Sequence, residues 1–218
     1  EKELISFKCG TNSDLLNYNT LSASSNTPIP RFNSEVIFHA TSVNALILNN
    51  PRGKIDTALY SSYNNNDLRK RIFFRAASGY QTFKGSYDGS TSLFCGLAND
   101  EIYLTKAETL ARTGHIENAI GLLNMLLEKR FVTGTYIPLV PTNNSDVLEL
   151  ILSERRKELL FRHSRWMDLR RLNQEEIHRV TIKRELGDQS YTLLPGSSKY
   201  TFKIPEFVIQ NSEVIQNP

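Results

Sequence analysis

At 218 residues, with 39% hydrophobic and 22% charged residues, the chain has an ordinary globular composition, long enough for one large domain or two small ones. Its formal charge of +3 is small and its basic residues are scattered among acidic ones, so the one-sided basic face of a nucleic-acid binder is not expected. No apolar run reaches the roughly eighteen residues of a membrane span, and Cys9 and Cys95 make neither a disulfide framework nor a zinc set, leaving open whether they pair.

The opening Glu1-Lys-Glu-Leu-Ile-Ser-Phe-Lys8 reads as the tail of a helix that begins elsewhere, which implies a longer parent protein with any targeting signal upstream. That helix ends near Gly10-Thr-Asn-Ser13. Residues 20–100 read as a loop-rich, weakly β insert. Ser22 to Pro30 is a polar, proline-punctuated loop, Glu35 to Ala40 a short strand, and Asp56 to Tyr63 a helix stopped by Asn64-Asn-Asn66. Residues 41–51 show no clear pattern. Arg71 to Arg75 and Tyr80 to Lys84 are strand-like, with Ser78-Gly79 as a hairpin turn between them.

Helical periodicity takes over across 101–180. Asn99-Asp100 caps a predicted helix from Glu101 to about Thr113, which Gly114 ends, and a second helix runs from His115 or Ile116 to about Arg130. Ala107, Leu110, Ala119, Leu123 and Leu126 match the packing positions of a tetratricopeptide helix pair, with small alanines that allow close approach. One such pair leaves a face uncovered, so further repeats are expected upstream of Glu1. Phe131 to Asn144 is a connection that holds a chance glycosylation sequon, Asn143-Asn-Ser145.

Ser145 to Leu172 is the longest predicted helical run. Leu148, Ile151, Leu152, Leu159, Trp166, Leu169 and Leu172 share one broad face, interrupted at the same phase by Arg155, Glu158, Arg162 and Arg165. Glu158 with Arg162 and Arg165 with Asp168 have ion-pair spacing. The stripe therefore reads as a structural clamp, and Trp166 is expected to be mostly buried. A polar helical tail follows to about residue 180. Residues 181–218 are read as C-terminal strands and tail, with strands at Tyr191 to Leu194 and at Tyr200 to Pro205.

No catalytic constellation emerges. His39, His115, His163 and His178 have no metal-ligand spacing, and no nucleophile elbow or phosphate-binding glycine loop occurs. Glu154 and Glu158 lie one turn apart, but their basic neighbours would hold both ionised, the reverse of a general acid. What remains is recognition. The insert interleaves Tyr60, Tyr63, Phe73, Phe74, Tyr80, Phe83, Tyr87 and Phe94 with asparagine, serine and glycine. That mixture suits a sugar, which offers an apolar C–H face and a rim of hydroxyls, and it equally suits the core of a small sheet. Tyr80 and Tyr87 are the candidate stacking rings, with Arg52 as a candidate hydrogen-bond donor.

Glu154-Arg-Arg-Lys-Glu-Leu-Leu-Phe161 followed by Arg165-Trp-Met-Asp-Leu-Arg-Arg171 closely resembles the hallmark of the SusD/RagB family of outer-membrane nutrient-binding lipoproteins. Asn66-Asp-Leu-Arg69, Phe83-Lys-Gly-Ser-Tyr87, the helix from Glu101 to Gly114, and the ending Ile204-Pro-Glu206 with Gln216-Asn-Pro218 agree in order and spacing. Departures are Arg162-His163 where the family usually has Glu-Gly, Lys203 in place of the first proline of Pro-Ile-Pro, and missing N-terminal repeats. The resemblance implies a mainly α fold of tetratricopeptide-like pairs carrying a loop-rich insert, of which this chain is the C-terminal portion. It further implies a non-enzymatic protein without cofactor, held at the outer membrane by an N-terminal lipidated cysteine. A SusC-like, TonB-dependent transporter is the implied partner and an oligosaccharide the usual ligand, a peptide the rarer one. Glu154, Arg155, Glu158, Arg165, Trp166 and Asp168 are then structural. The other readings are an intracellular helical-repeat scaffold and, least favoured, a glycoside hydrolase.

Overall fold

A computed structural model of the chain describes residues 15–42, 48, 52–140 and 143–217; the predicted helix over residues 1–9, Cys9 included, lies outside them. The chain divides into two compact units, Glu1–Arg162 and His163–Pro218. In order, the first carries β1 (Val36–Phe38), β2 (Thr41–Ser42), α1 (Thr57–Ser61), α2 (Arg69–Ile72), β3 (Phe74–Ala77), β4 (Tyr80–Phe83), β5 (Leu93–Phe94), β6 (Leu97–Ala98), α3 (Asn99–Arg112), α4 (Ile116–Glu128) and α5 (Asn144–Glu158).

The helical half follows its periodicity. Ala107 and Ala119 are both fully buried, so α3 and α4 pack closely, and Gly114 at φ 83° makes the left-handed turn between them. Leu104, Leu123, Leu126, Val147 and Ile151 complete a core shared with α5. Asn143, the sequon asparagine, is the N-cap of α5 and accepts from the Asp146 N–H at 3.0 Å. The expected Asn99-Asp100 cap is displaced: α3 begins at Asn99 after Ala98, and Asp100 is buried in its first turn.

The insert is built of short antiparallel ribbons, β1 with β6, β2 with β5 and β3 with β4. Asp56 caps α1 through the Ala58 N–H at 2.9 Å. The β3–β4 hairpin turns at Ser78-Gly79 as expected, with Gly79 at φ 79°. Its first strand starts later than the sequence suggests. Arg69–Ile72 is a helical turn, which aims Arg69 into the interior while burying Ile72, and only from Phe74 does the chain extend. Tyr18, Ile29, Tyr63, Phe73, Phe74, Tyr87 and Phe94 form a second core beneath the ribbons.

The predicted continuous helix over 145–172 is broken. It ends at Glu158, and Phe161 and His163 take left-handed φ angles of 59° and 61° before α6 (Ser164–Leu172) opens the second unit. The break buries Leu159 and packs Phe161 against the second core. It also separates Glu158 from Arg162, so the expected ion pair between them is not made and each finds another partner.

The second unit continues with β7 (Ile182–Leu186), β8 (Gln189–Leu193) and α7 (Glu206–Gln210). Two expectations fail here. Ile182–Leu186, read without strand character, pairs antiparallel with β8 around Gly187 at φ 59°. The strand expected at Tyr200 to Pro205 is instead a 3-10 turn at Ser198–Tyr200, capped by the Ser197 side chain, which turns Tyr200 inward. Trp166 packs on that ring at 4.8 Å and donates from Nε1 to the Tyr200 carbonyl at 3.2 Å. Phe202 stacks at 5.8 Å and is itself 79% exposed, while Trp166 is mostly buried, as expected.

Candidate ligand-binding groove and its buried support

Two fully buried arginines lie between the cores of the first unit. Arg69 donates to Asp67 at 2.7 Å, Glu154 at 2.6 Å and Glu158 at 2.9 Å. Arg130 donates to the other Glu158 oxygen at 2.7 Å, to Glu35 at 2.7 Å and to the Leu16 carbonyl at 2.8 Å. Glu35 also accepts from the Tyr87 hydroxyl at 2.5 Å, and that hydroxyl contacts Tyr18 at 2.7 Å and Asp100 at 3.3 Å. Arg162 closes the chain by donating to Asp100 at 2.6 Å while lying 4.0 Å over the Tyr87 ring.

Desolvated charges persist only when paired and hydrogen-bonded, as these are, save that among the described residues the buried Nη1 of Arg162 has no hydrogen-bond partner. Burial opposes ionisation of Glu154, but Arg69 and Lys157 outweigh it and hold the carboxyl below its usual range; Arg130 and Arg69 do the same for Glu158. Asp100 goes the other way. Burial pushes it up to about 7 against the pull of Arg162, with Glu35 and Glu158 adding repulsion. Arg155 reaches Glu101 at 3.1 Å, and in the second unit Asp168 accepts from Arg171 at 2.9 Å. Arg165 is half-buried in the first turns of α6.

This support positions the β3–β4 hairpin, which borders three concavities. One, of about 380 Å³, is walled by Phe83 and Phe161, stacked at 4.7 Å and 20°, with Asn26, Arg75, Lys84 and Ser90 around it. A second, of about 520 Å³, shares Asn26, Arg75 and Lys84 with it and adds Tyr60, Lys70 and Arg71. A third, of about 260 Å³, is formed by Tyr80, Tyr60, Thr57 and Gln81. Their sizes approach or fall within the usual range for small-ligand pockets. Lys84 is anchored by the Ala23 and Ser25 carbonyls at 2.5 and 2.9 Å, and Arg75 by Asn26 at 2.9 Å.

The three sequence candidates separate. Tyr80 is half-exposed, with Lys54 Nζ 4.8 Å from its ring centroid. Arg52 is exposed on the turn leading to Lys54, whose N–H donates to the Arg52 carbonyl at 3.1 Å. Tyr87 is 1% exposed with its hydroxyl fully engaged, so its assignment as a stacking ring is corrected: it belongs to the buried network. Nothing in the sequence marks Phe161 as a groove residue, because its place depends on the break after Glu158. Asp67 and Arg69 were signalled only as part of Asn66-Asp-Leu-Arg69.

A model of the SusD family matches residues 19–193. The chain belongs to the SusD family. A SusD-like protein of Formosa agariphila is 44% identical over 78 residues, which is 34% of this chain and 16% of that protein. A SusD superfamily protein of Bacteroides thetaiotaomicron superposes with a TM-score of 0.66 at 19% identity, over 96% of this chain and 53% of its own. A putative sugar binding protein of Bacteroides vulgatus gives 0.64 at 21% identity, over 94% and 50%. This SusD-family chain therefore spans about half the length of those solved relatives, and its mainly helical fold is theirs. Among its described residues no helix is long and apolar enough to cross a membrane.

Proposed function

We propose that the protein captures an oligosaccharide at the outer surface of a Gram-negative cell and passes it to a SusC-like, TonB-dependent outer-membrane transporter. The step is binding and release, with no bond made or broken, and attachment to the membrane is through an N-terminal lipid. Tyr80 and the Phe83–Phe161 pair supply flat apolar faces for sugar rings. Asn26, Gln81, Arg52 and their neighbours supply the hydrogen bonds that select among them. The observation that carries this reading is the juxtaposition, around one hairpin, of half-exposed aromatic rings with amide, hydroxyl and guanidinium groups. A family resemblance and a Bacteroides vulgatus relative described as a SusD-like carbohydrate binding protein support it. The test is a binding screen of full-length protein against glycan and peptide panels. Saturable binding to oligosaccharides is expected, and binding to peptides alone would replace this reading by a peptide-capturing one.

A further inference from the structure

Resting on that glycan-binding reading, the lining of the groove narrows the class of sugar. Lys70, Arg71, Arg75 and Lys84 line the 520 Å³ concavity, and among the described residues no carboxylate lines either it or the adjoining 380 Å³ one. This is notable in a chain with 26 basic and 23 acidic residues, where the nearby acids are consumed elsewhere. Asp67, Glu154 and Glu158 face the interior on Arg69 and Arg130, and Asp88 is engaged by His39 and Ser90.

The cations are held in place rather than loosely arrayed. Lys84 is fixed by two carbonyls and Arg75 by Asn26, while Lys70 donates to Asn65 at 3.1 Å. All of these anchors are neutral. Burial first, and then the like charge of the neighbouring Arg75, lowers the affinity of Lys84 for its proton. Among the described residues the Arg71 guanidinium has no hydrogen-bond or ion-pair partner. A ligand that carries the missing negative charge relieves this repulsion, whereas a neutral sugar leaves it in place.

We infer that the groove beside the β3–β4 hairpin takes an anionic saccharide, its carboxylate or sulfate groups on Arg71, Arg75 and Lys84 and a sugar face against the Phe83–Phe161 wall. Arg71 and Arg75 are exposed, so replacing them does not disturb the core.

The experiment is calorimetric titration of full-length protein and of its Arg71→Gln, Arg75→Gln and double variants. The carboxylate arm compares oligogalacturonides with their methyl esters. The sulfate arm compares a sulfated galactan oligosaccharide with its desulfated form, and an acidic peptide of matched charge completes the set. In at least one arm the anionic form should bind about ten-fold or more tightly than its neutral counterpart and weaken as salt is raised. The double variant should lose most of that preference while retaining its melting temperature. Equal affinity for charged and neutral forms, or a preference that survives in the double variant, overturns the inference and leaves glycan capture standing. Binding of the acidic peptide in preference to every saccharide overturns both, as does failure of every saccharide to bind.

Discussion

Tyr80 and Tyr87 lie seven positions apart in one aromatic stretch, and their surroundings give them opposite roles. Tyr80 is half-exposed in a concavity with Lys54 at its ring; Tyr87 is sealed, its hydroxyl shared by Glu35, Tyr18 and Asp100. Removal of the Tyr80 ring by Tyr80→Ala should weaken oligosaccharide binding by about 1–3 kcal/mol, a range typical of a lost stacking face, and leave the melting temperature unchanged. Tyr87→Phe should destabilise by about 1–3 kcal/mol in chemical denaturation, since a buried carboxylate loses its donor, with no selective loss of ligand. Composition alone did not separate these two rings. What separates them is Glu35, which lies 52 positions away in sequence and becomes a neighbour only in the fold. Trp166 teaches the same lesson from its own unit. Its partners Tyr200 and Phe202 lie beyond the reach of helical periodicity, and Trp166→Ala, which strips a mostly buried ring from both, should cost about 3–5 kcal/mol in chemical denaturation.

At the scale of elements, α3 and α4 were legible because alternating alanine and leucine at helical spacing is enough to specify a close helix pair. The helix over 145–172 was legible only in part. Its apolar phase continues through Leu159 to Leu172, but local spacing does not reveal that Glu158 must turn to Arg69 and Arg130 while Arg162 turns to Asp100. Those demands are met by a left-handed break, and His163 occupies one of the left-handed positions without being glycine. His163→Gly should therefore be tolerated and raise stability by about 0.5–1 kcal/mol, measured by thermal unfolding. Glu158→Gln should do the reverse and lower stability by about 3–5 kcal/mol, because two buried arginines lose the charge they share. The hairpin β7–β8 was missed for another reason. Ile182-Lys-Arg-Glu-Leu186 is mostly exposed and carries little apolar alternation, so its pairing rests on the backbone and a glycine turn.

For the whole molecule, the buried charges set opposing dependences on pH. Glu154 and Glu158 have carboxyls held below their ordinary range, so their contribution is complete above about pH 4.5 and is lost as acid protonates them in the native state. Asp100 titrates near 7 when folded against an ordinary 3.8, so the native state binds its proton more tightly than the unfolded chain does. Stability drawn from that carboxyl is highest in acid and declines as pH rises from about 4 to about 7. Denaturation of wild type and Asp100→Asn across this range should show the gap between them shift against the wild type by roughly 2–4 kcal/mol. A flat gap would mean that Asp100 stays ionised throughout.

The arginine network also fixes when the first unit can be completed during synthesis. Arg69 meets Glu158 across 89 positions and Arg130 meets Glu35 across 95. Neither guanidinium can shed its water until both of its distant carboxylates have arrived. The ribbons and loops that shape the groove thus leave the ribosome well before α5 does, and must wait, hydrated and unlocked, for the last turns of that helix. The helix that marks the family is in this sense a late latch of the first unit, and only the turn through Phe161 and Arg162, which adds the last wall of the groove and the Asp100 pair, comes after it.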